Sequence, residues 1–265
     1  MPQVLAYACD DATTRFHKTT IDLREPGPGE IYFDVKYAGI CHSDIHTARG
    51  EWGPVAYPLV PGHEFVGVVA RVGEGATRFA VGDRVGVGCM VGSCGQCEMC
   101  GAGYEQWCTG TPGTLWTYRA DADGNPTTGG YSQGFTVSED FACRIPEQIP
   151  FDAAAPLLCA GITMYSPLRR YGAGPGTRVA IVGMGGLGHV GVKLAAAMGA
   201  EVSVISHGRS KEADAGGRQE GEAVVRAAHE VMIPATVVFA GSSSASRPAP
   251  TSRVRRVGRA FVPST

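Results

Sequence analysis

Residues 177–206 read TRVAIVGMGGLGHVGVKLAAAMGAEVSVIS, and this stretch decides the fold class of the second half of the chain. The apolar run VAIV is typical of a strand that is buried on both faces, and VGVKLAAAMG is typical of a helix. The run EVSVIS that follows is typical of a second strand of the same sheet. A strand, a crossover helix and a second strand make a parallel βαβ unit. We therefore predict an α/β domain built around these residues.

A glycine pattern, G-x-G-x-x-G, lies between the first of these strands and the helix. Alone it is a weak signal in a chain with 38 glycines, and its alternative is a plain tight turn. Because a strand precedes it and a helix follows it, its backbone N–H groups are placed to bind the pyrophosphate of a dinucleotide. The predicted cofactor-binding residues of this loop are Gly183, Gly185, Gly186, Leu187 and Gly188.

The residues at the end of the second strand bear on the choice of dinucleotide. Proteins that bind NAD usually carry an acidic residue there, about 20 residues beyond the glycines, to hold the ribose hydroxyls. This chain has SHGRSK instead, so Ser206, Arg209 and Lys211 are available for a 2′-phosphate. The sequence therefore predicts NADP(H) as the cofactor, and a solvated loop is the alternative.

The first 150 residues show a different pattern. The runs IYFDVKY, FVGVVARVG and DRVGVG alternate apolar and polar residues, as half-buried strands do. Segments rich in glycine and proline, such as EPGPGE and YPLVPGHE, separate them. We predict a β-rich, barrel-like domain of short strands over residues 1–150.

The composition changes abruptly near residue 211. Residues 151–211 are predicted to begin the dinucleotide-binding domain, and residues 212–265 to form an atypical, poorly ordered tail. The tail ends in GSSSASRPAPTSRVRRVGRAFVPST, and ATVVFAG at 235–241 is its one convincing strand candidate. We interpret the change as a shifted reading frame or a truncated gene. Missing strands would leave an edge of the parallel sheet unpaired and half of the cofactor pocket without walls.

The composition is ordinary for a globular protein. The formal net charge is −2, and 44% of the residues are hydrophobic, so nothing indicates a surface for nucleic acid or another polyanion. The first residues, MPQVLAYACDDATTRFHK, lack the basic stretch and apolar run of a signal peptide, and no apolar window of about 18 residues exists. We expect a cytoplasmic protein without a membrane partner.

Four of the nine cysteines lie in the segment GSCGQCEMCGAGYEQWC. Disulfides are rare in the cytosol, so clustered cysteines more often bind metal there. C-x2-C steps wrap thiolates around one zinc ion, and four protein ligands leave no position for water. A metal-free loop or paired disulfides are the alternatives. We predict a structural zinc site formed by Cys94, Cys97, Cys100 and Cys108.

A second set of potential ligands is dispersed: Cys41 in GICHSDIH, His63 and Glu64 in PGHEFVGVV, and Cys159 in LLCAGIT. Each alone is more often a packing or turn residue. However, GHEFVGVVARVGEGA is similar to the signature of zinc alcohol dehydrogenases, and APLLCAGIT and GMGGLGHVGVKLA follow in that family's order. With GEWGPVAYPLVPGHE and GGYSQGF, the chain resembles the cinnamyl-alcohol-dehydrogenase branch of the zinc-dependent medium-chain dehydrogenases over roughly residues 1–211.

The resemblance implies a GroES-like β-barrel catalytic domain followed by an incomplete Rossmann domain. It also implies that Cys41, His63 and Cys159 hold a catalytic zinc with one position open to water or substrate. Glu64 would be a neighbouring carboxylate that can bind this zinc when the substrate site is empty. Thr163 would lie against the cofactor. Together with the four-cysteine site, the expectation is two zinc ions per chain and NADP(H).

The segment that follows Cys41 carries the remaining implied roles. Asp44 would accept a proton from the zinc-bound histidine and fix its tautomer; its alternative is a turn residue. Ser43 and His46 match the family's proton relay, which runs through the cofactor ribose to an imidazole near solvent. The alternatives are a helix cap for Ser43 and a surface histidine for His46.

The implied reaction is hydride transfer between NADP(H) and a zinc-bound primary alcohol or aldehyde. Trp52 and Trp116 fall in segments that border the family's substrate pocket, although core packing is equally compatible with them. Members of the family usually form homodimers through a sheet edge that is expected to be missing here, which argues against that dimer. The alternative function is a truncated, catalytically inactive zinc-binding remnant of such an enzyme.

Overall fold

The computed structural model describes residues 3–118 and 127–206, together with the backbone of two later strands. The strands of the first part are β1 (Gln3–Ala8), β2 (His17–Asp22), β3 (Glu30–Ala38), β4 (Phe65–Val72), β5 (Arg84–Val87), β6 (Met90–Gly92), β7 (Leu115–Trp116), β8 (Gly134–Ser138) and β9 (Ala142–Arg144). Those of the second part are β10 (Arg178–Val182), β11 (Glu201–Ser206), β12 (Val224–Ala227) and β13 (Thr236–Ala240). The helices are α1 (His42–Ala48), α2 (Glu98–Gly101), α3 (Phe151–Ala154), α4 (Ala160–Arg170) and α5 (Gly186–Ala197), and 3₁₀ turns lie at Glu105–Trp107, Glu139–Phe141 and Ala155–Leu158.

The first part is built on an antiparallel sheet in the order β8-β3-β4-β5-β9. The three alternating runs form its strands β3, β4 and β5, as predicted. Its buried face is aromatic: Phe33 and Phe65 stack at 5.9 Å, and Phe135 meets Phe65 edge to face at 4.8 Å. Gly67 allows β3 and β4 to approach, because a side chain there would overlap the carbonyl group of Asp34. Two hairpin-like pairs, β1 with β2 and β6 with β7, lie beside this sheet.

Residues 151–158 continue the packing of the first part. Ala154 and Ala155 are buried in one cluster with Val66 of β4 and Ile145, which follows β9. Leu158 packs against the same cluster, and a side chain at Gly86 of β5 would overlap it. The chain therefore leaves the sheet of the first part only after it has passed Leu158, which places the following residue, Cys159, beside that sheet.

The second part contains the βαβ unit predicted from residues 177–206. Strands β10 and β11 are parallel, with Ile181 paired to Val204. Helices α4 and α5 pack on them through a core of Met164, Leu168, Val179, Ile181, Val192, Ala195, Val202 and Val204. Strand β12 extends the sheet beyond β11 in the parallel direction.

The other side of β10 corrects one expectation. The composition of the tail led us to expect an unpaired sheet edge, but β13 pairs with β10 from Thr236 to Ala240. This strand lies within the candidate run ATVVFAG, and it is antiparallel to β10, unlike a strand that continues a parallel sheet. An exposed edge of N–H and C=O groups accepts a β-branched segment in either direction, which explains the pairing.

Within the described ranges, no helix has the length and apolar character that crossing a bilayer requires.

Candidate metal and dinucleotide sites

Helix α1 positions the first predicted zinc ligand. Cys41 is the N-cap of α1 and has extended backbone angles, φ −118° and ψ 150°. Its N–H donates to the carboxylate of Asp44 at 3.1 Å, and the Asp44 N–H donates to the Cys41 carbonyl, also at 3.1 Å. The two residues therefore fix each other at the start of the helix, in the manner of a capping box.

Asp44 is the centre of a buried hydrogen-bond network. It is 1% exposed, and its Oδ1 accepts hydrogen bonds from the Gly62 N–H at 3.0 Å and from His63 Nδ1 at 2.9 Å. Its Oδ2 accepts from the Tyr131 hydroxyl at 3.1 Å as well as from Cys41 N–H. One carboxylate thus connects two segments that carry predicted ligands, Cys41 and His63, and the GGYSQGF segment that contains Tyr131.

These contacts determine the tautomer of His63. The backbone N–H groups of Cys41 and Gly62 can only donate, so Asp44 accepts hydrogen bonds at both of its oxygens. His63 Nδ1 must then carry a proton, so Nε2 is the nitrogen that can bind a metal ion once its own proton has left. A histidine that binds zinc through Nε2 needs this arrangement, and zinc-bound histidines usually donate their other ring N–H to a carboxylate.

Cys159 is the third predicted ligand of the catalytic zinc. It is the N-cap of α4 and follows the segment that packs against the first sheet. The ligand atoms of Cys41, His63 and Cys159 all lie within 4.8 Å of one another, although the residues are far apart in the sequence. Two thiol sulfurs and one imidazole nitrogen are a donor set that suits zinc, and a tetrahedral ion held by three protein ligands keeps one open position. The residues present therefore fit the predicted catalytic metal.

The ionisation of the three ligands reflects how close they are. Contact with the Cys159 and His63 side chains lowers the pKa of Cys41 well below the usual thiol value, while contact with Cys41, together with burial, raises the pKa of Cys159. Burial opposes charge on His63, but hydrogen bonds with Asp44 and Cys41 outweigh it and raise the pKa of the imidazole to about 10. A metal ion that binds here must displace protons from Cys159 and His63.

Glu64 is adjacent to the group without belonging to it. Its side chain is 4% exposed and packs against Gly39, where a Cβ atom would overlap the carboxylate. Burial raises the pKa of this carboxyl to about 7. Its oxygens are not among the atoms that lie within 4.8 Å of one another, so the expected role of Glu64 as an occasional ligand stays a prediction.

The predicted relay residues, Ser43 and His46, both lie on α1. The Ser43 hydroxyl is 3.4 Å from the Cys41 sulfur, and both residues are partly exposed. The His46 ring contacts the Glu51 carboxylate through Nδ1 and stacks on Trp52, with ring centroids 5.1 Å apart. Trp52 is 54% exposed, whereas Trp116 is partly buried in β7, where it pairs with Met90 of β6.

The four-cysteine cluster has the dimensions of a zinc site. The sulfur of Cys100 lies 3.9 Å from that of Cys94 and 3.5 Å from that of Cys97, and the sulfurs of Cys97 and Cys108 are 4.0 Å apart. A tetrahedral ion with zinc–sulfur bonds of 2.3 Å separates its ligands by about 3.8 Å. A disulfide needs about 2.05 Å, and all four cysteines are free, so the disulfide alternative fails.

The loop that carries the cluster is shaped around these sulfurs. Backbone N–H groups of Cys94, Cys97 and Cys100 point to cysteine sulfurs at 3.4–3.5 Å. Hydrogen bonds from the N–H groups of Cys100 and Thr109 lower the pKa of Cys97 to about 5. A thiolate surrounded by N–H donors is ready to bind a metal ion. The four residues therefore also fit the predicted structural zinc.

The predicted glycine loop leads from β10 into α5. The Gly183 N–H donates to the Ile205 carbonyl at 2.9 Å, and Gly183 has a positive φ of 89°, which glycine adopts without strain. Gly185 is the N-cap of α5, and a Cβ atom at Gly185 or Gly186 would meet nothing within 4 Å. Gly188 is buried at the point where α5 begins to pack on the sheet. The N-terminus of α5 is thus open on the side where a pyrophosphate can approach.

The other predicted cofactor residues are distributed around this loop. Leu187 packs against the core of the second part, and Ser206 is the last residue of β11. Thr163 lies exposed in the first turns of α4. Arg209, Lys211 and the predicted tail at 212–265 lie outside the described residues, apart from the backbone of β12 and β13.

Two tyrosines at the metal group were not singled out by sequence reasoning. Tyr118 places its hydroxyl 2.8 Å from His63 Nδ1, and Tyr131 donates to Asp44. Tyr131 falls in the motif GGYSQGF, which carries the family resemblance, but the motif alone does not show which atom the hydroxyl contacts. Burial raises the pKa of both phenols, and the nearby Asp44 charge raises it further, so both hydroxyls keep their protons.

Asp44→Asn is expected to weaken metal binding at the dispersed site and to destabilise the fold. The amide group of asparagine directs two N–H bonds toward groups that are themselves donors, so at least one buried donor loses its acceptor, at about 1–3 kcal/mol. Chelator competition would measure the affinity, and urea unfolding would measure the stability. Asp140→Asn, at an exposed position, is the control. Equal metal affinity in both variants would contradict the role assigned to the network.

Gly188→Ala is expected to lower the free energy of unfolding by about 1–3 kcal/mol, as overpacked sites do. The new methyl group would overlap the carbonyl oxygen of Gly183, so α5 would have to move away from the loop. Gly186→Ala is the matched control, because the space at Gly186 is open and alanine favours a helix by up to about 1 kcal/mol. Urea unfolding of both variants checks the prediction, which is wrong if Gly188→Ala is as stable as Gly186→Ala.

Comparisons with known proteins agree with the geometry. The family model described as the alcohol dehydrogenase GroES-like domain matches residues 27–147. NADP-dependent alcohol dehydrogenase C 1 of Mycolicibacterium smegmatis is 59% identical over 215 residues, which are 81% of this chain and 61% of that protein. The chain thus spans about three fifths of the length of this curated relative.

Solved structures show the same relationship. A cinnamyl alcohol dehydrogenase from Sorghum bicolor is 43% identical with a TM-score of 0.79, over 85% of this chain and 64% of that one. The CAD from Helicobacter pylori, solved as a complex with NADP(H), is 40% identical with a TM-score of 0.77, over 84% and 64% of the two chains. The GroES-like domain and the partial Rossmann domain implied by the resemblance are both confirmed by this agreement. Over the residues that it shares with them, the chain therefore matches the zinc-dependent medium-chain alcohol dehydrogenases, in the branch that resembles cinnamyl alcohol dehydrogenase.

Proposed function

We propose that this chain carries the catalytic part of an NADP(H)-linked alcohol dehydrogenase that interconverts primary alcohols and aldehydes. The observation that carries the proposal is the convergence of Cys41, His63 and Cys159, with the buried Asp44 holding the histidine in the tautomer that zinc requires. The names of the relatives, which include NADP-dependent alcohol dehydrogenases, support the same reaction class.

Each group of residues has a defined task in this proposal. Cys41, His63 and Cys159 would hold the catalytic zinc, and zinc in such a site polarises an alcohol or aldehyde oxygen. Ser43, which borders Cys41, would hold the proton of the substrate hydroxyl. His46 is partly exposed and contacts Glu51, so it can exchange that proton with solvent.

The second part of the chain would bind the dinucleotide. The N–H groups at the start of α5, next to Gly185 and Gly186, are free of covering side chains and can bind the pyrophosphate. Leu187, Gly183 and Gly188 would shape the loop, and Thr163 would lie against the cofactor. We propose NADP(H) because residues 206–211, which end β11 and follow it, contain no acidic residue, and Ser206, Arg209 and Lys211 would receive the 2′-phosphate.

The proposal also includes a division into two domains and a second zinc ion. We propose a catalytic domain over residues 1–150 and the start of a dinucleotide-binding domain over residues 151–211. The cluster of Cys94, Cys97, Cys100 and Cys108 would hold a zinc ion with a structural role, because four thiolates leave no position for substrate. Each chain would then bind two zinc ions.

The test is turnover of NADPH by the purified chain with benzaldehyde, followed by the absorbance of the reduced cofactor. We expect oxidation that requires zinc and stops when a chelator removes it. Ser43→Ala should retain zinc and lose most of the rate, whereas Ser93→Ala, near the structural cluster, should keep the rate. Absence of zinc-dependent oxidation in a chain that holds two zinc ions would refute the enzymatic proposal.

A second candidate is a zinc-binding protein that has lost catalysis. The specific observation that favours it is that both groups of zinc ligands lie within the described residues, and binding zinc requires no other part of the chain. This candidate predicts two bound zinc ions and no NADPH oxidation. The turnover experiment therefore separates the two candidates directly.

A further inference from the structure

Tyr118 combines an unusual backbone with an unusual contact. Its φ is +46°, and it is the one non-glycine residue with a positive φ in residues 3–118 and 127–206. For a bulky side chain this conformation is rare and costs of order 1–3 kcal/mol, so it persists only where the surroundings impose it. Such residues cluster at functional sites.

The surroundings that impose this conformation can be identified. The N–H of the preceding residue, Thr117, donates to the Cys89 carbonyl at 2.9 Å, and the Tyr118 N–H donates to the Thr128 carbonyl at 3.4 Å. The Tyr118 side chain, 6% exposed, packs in a cluster with Cys9, Ala48 and Leu59. The left-handed turn directs the side chain into this cluster and toward His63.

The hydroxyl of Tyr118 ends beside the same nitrogen that contacts Asp44. It lies 2.8 Å from His63 Nδ1, and the two rings meet edge to face with centroids 5.8 Å apart. Because Nδ1 must carry the proton that Asp44 accepts, the N–H donates to both oxygens in a three-centre hydrogen bond. Asp44 alone fixes the tautomer, but it leaves the imidazole free to tilt about the N–H···O direction. The Tyr118 hydroxyl oxygen and the edge-to-face contact between the two rings remove that freedom.

We propose that Tyr118 is a positioning residue that orients the His63 imidazole so that its Nε2 points to the space between the Cys41 and Cys159 sulfurs. This inference rests on the proposed catalytic metal site, and it adds a residue that acts through the histidine without touching the metal. The strained backbone conformation of Tyr118 is what places its hydroxyl beside His63 Nδ1.

The experiment compares Tyr118→Phe with Tyr57→Phe in the full chain. The Tyr57 hydroxyl donates to the Ala48 carbonyl at 2.8 Å and packs against the same cluster, but it does not contact His63. Both variants lose one hydrogen-bonded hydroxyl and keep the ring. Zinc affinity is measured by chelator competition, and the four-cysteine site serves as an internal reference. Cys41→Ser identifies which of the two binding phases belongs to the catalytic site.

We expect Tyr118→Phe to bind zinc at the catalytic site about 10–100-fold more weakly than the parent chain, as changes to groups behind a ligand usually do. Tyr57→Phe should bind as the parent does. Cobalt(II) can replace zinc, and its visible spectrum reports the geometry of its ligands. Subtracting the spectrum of Cys41→Ser leaves the spectrum of the catalytic site. This difference spectrum should be shifted in Tyr118→Phe relative to the parent chain. A structural role elsewhere in the cluster would not change this spectrum.

Three other results would contradict these proposals. Equal affinity and an unchanged cobalt spectrum in Tyr118→Phe would overturn the assignment of Tyr118 while leaving the metal site itself intact. Loss of the structural zinc along with the catalytic one would also overturn it, because the hydroxyl would then support the domain and not the histidine. If the parent chain shows no phase that Cys41→Ser removes, the proposed metal site fails, independently of Tyr118.

Discussion

Cys41→Ser is expected to reduce the zinc content from two ions per chain to one and to abolish NADPH oxidation. The serine hydroxyl is a poor zinc ligand, and the remaining pair of His63 and Cys159 cannot hold a tetrahedral ion tightly. The loss of rate should reach the detection limit, since no other group of the described residues combines thiolate and imidazole ligands. Metal analysis after dialysis, together with the turnover assay, measures both effects.

The control for this substitution is Cys143→Ser. Cys143 is exposed in β9 and belongs to neither group of ligands, so its replacement should leave two zinc ions and the full rate. The fold should also survive Cys41→Ser, because Asp44 still accepts hydrogen bonds from the backbone at residue 41, at residue 62 and from Tyr131. Two zinc ions in Cys41→Ser would show that this cysteine is not a ligand.

Cys97→Ser is expected to release the structural zinc and to open the loop between Cys94 and Cys108. In this segment Cys100 alone is buried, so the loop has no hydrophobic core of its own to hold it closed. Metal binding contributes about 10 kcal/mol or more to the folding of small zinc-dependent units, and the loop should lose most of its order without it. Limited proteolysis should cleave the variant within residues 94–108 at least ten times faster than the parent chain.

The matched control is again a cysteine outside the cluster, Cys143→Ser, which should show the proteolysis rate of the parent. Treatment of the parent with a strong chelator should reproduce the Cys97→Ser pattern, and added zinc should reverse it only in the parent. Protection of the loop in Cys97→Ser would mean that protein contacts, and not the metal, hold it.

The sequence predicts the local features of this molecule well. The C-x2-C-x2-C-x7-C spacing places the four cysteines on one short loop, and the structure brings their sulfurs together. The strand–glycine–helix order of residues 177–206 likewise yields β10, the loop and α5. Both are short-range patterns, in which spacing along the chain sets distance in space.

Features that depend on long-range packing are harder to predict. Nothing local relates Cys41, His63 and Cys159, which only the family resemblance groups together. The contact of Tyr118 with His63 depends on a backbone conformation that sequence patterns do not indicate. The antiparallel pairing of β13 depends on which edge a β-branched segment meets, and its composition does not set its direction.

The bonding of Asp44 also gives the two metal groups different behaviour toward an incoming ion. A single buried carboxylate ties the peptide groups at residues 41 and 62, so two ligands of the dispersed group are held in place by the protein itself. This site is therefore preorganised, and zinc binding should cause little change in its amide hydrogen exchange. The cysteine loop, by contrast, should gain its exchange protection only as the ion arrives, so the order of metal loading can be followed residue by residue.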